Sequence, residues 1–294
     1  MKTKSIILKF LPVLIVALII YSCKKESTPP SNTNTNNTPP PTPTNTIATV
    51  LIPAGTFTMG SPTNEPNRGT NETQHQVTLS AFRMSKYEVT VAQFYDFLNA
   101  TGIDSTMIKT DSIMANNYTI NYVNNKWKCP TGRENYPMVG VSWYGAKKFA
   151  EYVGGKLPTE AQWEYACRAG TSTAYYTGDC LNDTQANYNW SYPQTGCTNT
   201  NTTPPNDYQP VGSYPANAFG LYDMHGNVTE WVNDWYNGDY SPASQTDPTG
   251  PATGTTYLCR GGYFQFYGWN CRSARRRPNR ACTWLAGIRV VFNP

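Results

Sequence analysis

Gly220-Leu221-Tyr222-Asp223-Met224-His225-Gly226-Asn227-Val228-Thr229-Glu230-Trp231 is the stretch whose reading settles the fold. It places two carboxylates, Asp223 and Glu230, around a Gly-Asn turn. It lies within a long run beyond Gly170 that is rich in Gly, Asn, Pro and Tyr. Irregular runs of this length are uncommon in a compact domain unless disulfides or bound ions hold them. His225 reads as a turn residue. His75, the other histidine of the chain, reads as a polar strand position.

Upstream the chain is more regular. Val50 to Gly60 predicts two short strands around a Pro53–Gly55 turn, and Gln76 to Met84 alternates as a further strand. Thr90 is an N-cap, with Val91, Phe94, Tyr95 and Leu98 on one helical face. A polar loop follows from about Thr101 to Pro137. Ser142 caps a second helix that buries Ala146, Phe149, Ala150 and Val153 and ends at Gly154-Gly155. Thr159 and Gln162 form a capping box that opens a third helix to about Arg168, stopped at Gly170. Short helices and strands in a largely irregular chain predict an α+β domain.

The amino-terminal region is different. Lys2, Lys4 and Lys9 precede an apolar run from Leu11 to Ile20, then Tyr21, Ser22 and Cys23. This pattern reads as an export signal over residues 1–22, too short for a comfortable membrane span. Cys23 stands where a bacterial lipoprotein carries its lipid. The expected location is therefore the bacterial cell envelope, with the membrane held through the lipid on Cys23. Residues 23–46 are Ser, Thr, Asn and Pro with almost nothing apolar, as expected of a disordered tether. Residues 47–294 remain for the folded domain, with neither a second linker nor an internal repeat.

Charged residues make up 14% of the chain and aromatics 13%, with 21 tyrosines, a composition suited to contact recognition or to an aromatic core. The net charge of +4 conceals an asymmetry, since no acidic residue follows Asp247 whereas Arg260, Arg272, Arg275, Arg276, Arg277, Arg280 and Arg289 do. These arginines are read as ties to backbone carbonyls and buried carboxylates. Together with export, that reading excludes a nucleic-acid partner. Of eight cysteines, seven remain beside Cys23, none in Cys-x-x-Cys spacing, which argues against zinc or thioredoxin-like chemistry. Cys180–Cys197 would close a short loop, Cys259–Cys282 is open as a pair, and Cys129 is left over.

Several segments occur in a fixed order: Ile52-Pro53-Ala54-Gly55-Thr56-Phe57-Thr58-Met59-Gly60, Lys86-Tyr87-Glu88-Val89-Thr90, Pro137 to Trp143, Leu157 to Ala166, the Gly220–Trp231 stretch, Arg260-Gly261-Gly262, Cys271 to Arg275, and Gly287 to Val290. Together they resemble the sulfatase-modifying factor family, also called the formylglycine-generating enzyme family. The resemblance implies an irregular α+β fold related to C-type lectins and a disulfide between Cys167 and Cys271. It also implies calcium, held by Asp223, Glu230 and the carbonyls of Gly226 and Val228. Hard oxygens converging on a Gly-Asn turn suit that ion; turn capping or pairing with arginine is the other use open to these residues. A second calcium site would use Asn187 and the Tyr188 carbonyl.

The same resemblance implies an oxidase whose copper is held by two cysteines after the paired glycines. Here that stretch is Tyr263-Phe264-Gln265-Phe266-Tyr267-Gly268-Trp269-Asn270, without a cysteine. Phenol, amide and arene groups do not replace the thiolates that select Cu(I), so no catalytic residue is assigned and copper is not expected. Two histidines in separate motifs do not supply the iron triad of carbon–sulfur-bond-forming relatives. Tyr263, Phe264, Phe266, Tyr267, Trp269, Arg275, Arg277 and Trp284 instead form a candidate binding surface, placed like that of the variable proteins of diversity-generating retroelements, or else pack the fold. The expected function is a non-catalytic lipoprotein that binds a protein or glycan ligand, or a scaffold in an envelope machine like the gliding-motility relatives. The alternative is a sulfatase-modifying oxidoreductase with an atypical site.

Overall fold

A Pro53-Ala54 turn separates β1 (Thr49–Ile52) from β2 (Gly55–Met59), as the sequence predicts. The computed structural model describes residues 46–110, 113–114, 121–192, 196–278 and 285–294. The export signal, Cys23 and nearly all of the tether lie outside the described residues, as do Cys282 and Trp284.

The single strand expected over Gln76–Met84 is two strands, β3 (His75–Leu79) and β4 (Phe82–Ser85), in different sheets. Asp247 causes the break. Its carboxylate accepts from both the amide and the hydroxyl of Ser80, at 2.8 and 2.7 Å, and turns the chain there. β3 then pairs with β2 and β8 (Gln245–Thr246), while β4 lies between β1 and β12 (Val291–Phe292).

Thr90 caps α1 (Val91–Ala100) through a reciprocal box with Gln93, and Phe94, Tyr95, Phe97 and Leu98 are buried. The polar loop that follows is more structured than its composition suggests. It holds the short α2 (Met107–Thr110) and a hairpin of β5 (Asn121–Val123) and β6 (Lys126–Lys128). Trp127 anchors the hairpin on α1, where the Asn99 side chain bonds its N–H and its carbonyl, at 2.8 and 2.9 Å. Ser142 caps α3 (Trp143–Tyr152), whose Phe149 meets Phe94 and Phe97 of α1. Thr159 and Gln162 box the start of α4 (Glu160–Arg168). That helix ends on Ala169 in the left-handed region (φ 46°), one residue before the predicted stop at Gly170.

The largest sheet has the order β10-β9-β7-β11, with β7 (Thr229–Trp235) leaving the Gly226-Asn227 turn, then β9 (Tyr257–Arg260), β10 (Arg277–Pro278) and β11 (Ala286–Gly287). One core lies between this sheet and α1 and α3, where Tyr257 is stacked between Trp143 and Trp235 at 3.8 Å from each. A second core lies beneath α4 and β1–β4.

Arg260, Arg272, Arg276 and Arg289 are internal ties, as read from the sequence, while Arg280 lies outside the described residues. Arg272 grips Glu72 at 2.9 Å and also Glu65, Arg276 forks onto Glu160 at 2.9 and 3.0 Å, and Arg260 pairs with Glu164. Each of these four acids is almost wholly buried or paired with a buried arginine, so losing one partner would strand a charge.

The disulfide Cys180–Cys197 is present, with Cα atoms 5.4 Å apart across a separation of 17 residues. Its loop contains Tyr188 and Trp190 of a small third cluster. Replacing both cysteines by serine is expected to lower stability by about 3 kcal/mol, through the loop entropy restored to the unfolded chain; equilibrium denaturation of the full chain measures it. The expected Cys167–Cys271 bridge is not formed. Both thiols are buried and unbridged. The Cys167 sulfur faces the Met224 carbonyl and the Ser273 hydroxyl, while Cys271 is seated against Gly262 and the Tyr267 carbonyl.

Candidate functional site

Between Asp223 and Glu230 the backbone turns through three left-handed residues, Asp223 (φ 58°), Gly226 (φ 79°) and Asn227 (φ 55°). Glycine is required at 226, because a Cβ there would stand 2.2 Å from the Asn187 carbonyl oxygen. The turn therefore packs directly on the backbone of Asn187, with which Gly226 forms a parallel bridge.

The acids of the turn have unequal partners. Both Glu230 oxygens accept from Arg289, at 2.7–2.9 Å, and Oε2 also accepts from the Trp163 indole at 2.6 Å. Asp223 Oδ2 accepts from the Gly212 amide at 2.6 Å, but its buried Oδ1 has no partner. Glu88, from the segment before α1, is buried, and the Asn227 side-chain amide donates to both its oxygens at 3.2 Å. Glu88 and Asp223 thus feel the charge of Arg289, whose guanidinium is bonded to Glu230. Burial, then the charges of Asp223 and Glu230, pushes Glu88 well above the ordinary carboxylate range. Burial raises Asp223 to about 6.

That group of buried carboxyls, with an unpartnered oxygen, fits a divalent cation of the kind the sequence resemblance implies. The second implied site carries the same mark. Asn187 Oδ1 is buried without a partner, and among the described residues it and Asp223 Oδ1 are the amide or carboxylate oxygens left so. The donors would be mostly carbonyls, since no three acidic, His or Cys side chains converge into a cage among the described residues. Glu230 is the poorest of the expected ligands, its oxygens being taken by Arg289 and Trp163.

A cavity of about 420 Å³ opens beside this turn. Its walls come from the start of α1 (Val91, Tyr95), the segment Pro130–Val139, Asp207-Tyr208, Tyr263-Phe264-Gln265 and Leu285. The ring of Tyr208 stands 4.8 Å from Phe264, edge to face, and Phe264 is 5.1 Å from Tyr263. Arg133 pairs with Asp207 and lies 4.3 Å above the Tyr136 ring, so the rim has charged groups but no net charge. Gln265 is exposed and accepts the Tyr263 hydroxyl. An apolar aromatic chamber with a few polar groups at its mouth is suited to a neutral, amphipathic ligand.

The candidate binding residues separate into distinct places. Tyr263 and Phe264 are buried in the cavity wall, at 7% and 6% exposure. Tyr267 and Trp269 are half-buried and join exposed Tyr192 in an outer aromatic patch. Phe266 carries the Arg277 guanidinium 3.8 Å above its ring, and Arg275 leans on Glu72 at 3.9 Å. The sequence singles out none of Tyr136, Tyr208 and Arg133, and it places Tyr95 only on the buried face of α1. They come from distant segments whose local spacing carries no signal of convergence.

Among the described residues that line the cavity there is neither a cysteine nor a histidine. Burial pushes the thiols of Cys167 and Cys271 up to about 12, which disfavours the thiolate that a soft metal needs. Cys129 is half-buried and unbridged. His225 is locked inside the fold. Its Nε2 accepts from the Tyr176 amide at 3.0 Å, its Nδ1–H donates to the Cys271 carbonyl at 2.8 Å, and burial holds it neutral, down to about 3.

The model of the sulfatase-modifying factor enzyme 1-like domain matches residues 35–294. The chain belongs to the sulfatase-modifying factor family. It is 31% identical over 261 residues to the formylglycine-generating enzyme of Mus musculus, spanning 78% of this chain and 70% of that enzyme. It is also 36% identical over 234 residues to the serine/threonine-protein kinase pkn1 of Chlamydia caviae, where the match covers 78% of this chain but only 35% of the kinase. Among solved structures, PvdO from Pseudomonas aeruginosa superimposes with a TM-score of 0.66 at 27% identity, over 84% of this chain and 94% of that one. The sulfatase-modifying factor fold therefore accounts for the irregular α+β architecture and for the order of the segments around the turn.

Proposed function

We propose that this member of the sulfatase-modifying factor family is a non-catalytic recognition domain, held at the bacterial envelope by a lipid on Cys23 and binding a neutral ligand in the Tyr263–Phe264 pocket. The observation that carries the reading is the pocket lining. Where the resemblance puts copper-binding thiols, this chain puts Tyr, Phe and Gln. Rings fixed by packing lose little entropy on contact, which suits recognition rather than redox work. Calcium at the Asp223 turn, and a second ion at Asn187, would act as structural cations that offset buried negative charge. Only family membership supports the oxidoreductase alternative.

The test is a titration of the full chain with maltotriose, cellotriose, mannotriose and an uncharged proline-containing octapeptide, followed by tyrosine and tryptophan fluorescence. Saturable binding of at least one probe is expected, weakened about tenfold or more by Tyr208→Ala. Binding that Tyr208→Ala leaves untouched, or no binding of any probe, counts against the pocket as the recognition site.

A further inference from the structure

Asn227 is where the acidic turn and the aromatic pocket meet. Its backbone N–H donates to the Asn187 carbonyl at 2.7 Å, and its own carbonyl accepts from the Phe264 amide at 3.1 Å. Its side chain reaches the other wall, with Oδ1 accepting from the Gln209 amide at 2.9 Å and from Asn187 Nδ2 at 3.0 Å. Nδ2 donates to the Gln209 carbonyl at 3.2 Å and to both oxygens of Glu88. Asn187 Nδ2 in turn holds the Asp207 carbonyl at 3.1 Å. The residue is buried and left-handed, so it has little freedom to move without moving its partners.

One side of the pocket, Asp207-Tyr208, is thus hung from the Asn227 side chain, and the other, Tyr263–Gln265, from its main chain. Asn227 also lies between the carbonyls of Gly226 and Val228, in the turn whose buried oxygens fit a cation. We propose that Asn227 is a positioning residue that couples cation binding at the Asp223–Glu230 turn to the shape of the aromatic pocket, making ligand recognition by this chain depend on a divalent cation. The inference rests on the reading of the pocket as a ligand site. The physical cause is local. With the cation bound, the carboxylates of Glu88, Asp223 and Glu230 repel one another less, the turn tightens, and both walls are drawn to one geometry. The coupling is reciprocal, so ligand and cation strengthen each other by the same factor.

Amide hydrogen exchange of the full chain, in calcium chloride and in EDTA, reads this without any ligand. Calcium is expected to slow exchange about tenfold across 207–209 and 263–265 as well as across 223–230. Asn227→Gly keeps the left-handed conformation and both main-chain bonds but loses the whole side chain, Oδ1 and Nδ2 alike. In that variant the calcium effect at 207–209 should vanish, while that at 263–265, carried by the main chain, should persist. If the variant does not fold, the wild-type comparison alone decides. Protection confined to 223–230, or no calcium taken up in isothermal titration, overturns the proposal. Either outcome leaves the non-catalytic reading standing, because that falls only to copper-dependent oxidation of a cysteine substrate.

Discussion

Arg289→Met is expected to destabilise the domain by about 3–5 kcal/mol, and the loss should grow with pH. Arg289 is wholly buried, and its donors are spent on Glu230, the Ser85 carbonyl and the Tyr222 carbonyl. Methionine fills similar volume but leaves Glu88, Asp223 and Glu230 with no guanidinium. Burial raises both Glu88 and Asp223, so each favours folding when protonated, and that contribution is lost as pH rises through the folded value, about 6 for Asp223. Arg289 opposes both shifts, so its removal is felt most where the carboxylates are charged. Urea denaturation at pH 4.5 and at pH 8 is the check, with the larger deficit expected at the higher pH. Equal deficits would mean that Glu88 and Asp223 do not feel the charge of this arginine.

Gly226→Ala is expected to cost about 3 kcal/mol or more. Two penalties coincide there, a left-handed φ of 79° and a new Cβ 2.2 Å from the Asn187 carbonyl oxygen, which is main chain and has nowhere to yield. Gly238→Ala is the natural control, since that glycine has a similar φ of 62° with open space around it. It should lose only the conformational part, about 1 kcal/mol. Thermal denaturation of the two variants separates the contributions. If both fall equally, the close packing of the turn on Asn187 does not matter energetically. The Gly226 variant should also bind calcium more weakly, because both implied sites meet at that contact.

Local chemistry was legible in the sequence wherever it acted over a few residues. Thr90 with Gln93 and Thr159 with Gln162 close their capping boxes, and Ser142 starts its helix. Cys180–Cys197 was suggested by the short loop it closes, although spacing alone does not fix connectivity. Arg260, Arg272, Arg276 and Arg289 are legible as ties because buried carboxylates need partners, and Glu65, Glu72, Glu160, Glu164 and Glu230 supply them. The β5–β6 hairpin is not legible because its alternation spans three residues a side, with Trp127 buried and Tyr122 packed half-buried against it. The break at Ser80 was missed because its cause, Asp247, is far along the chain. The pocket was half-read for the same reason. Tyr263 and Phe264 stand out beside paired glycines, whereas Tyr95, Tyr136 and Tyr208 acquire a role only when tertiary packing brings them to one wall. The Cys167–Cys271 pairing came from resemblance alone, and here the two thiols point to different carbonyls.

Aldehyde formation on a cysteine-containing sulfatase peptide decides most directly whether oxidase chemistry has been lost. The full chain, loaded with one equivalent of Cu(I) and exposed to oxygen, is incubated with the peptide, and the product is followed by mass spectrometry. The expected result is unchanged peptide, since the segment 263–270 offers the metal no sulfur. Stoichiometric conversion of the cysteine to formylglycine would contradict it.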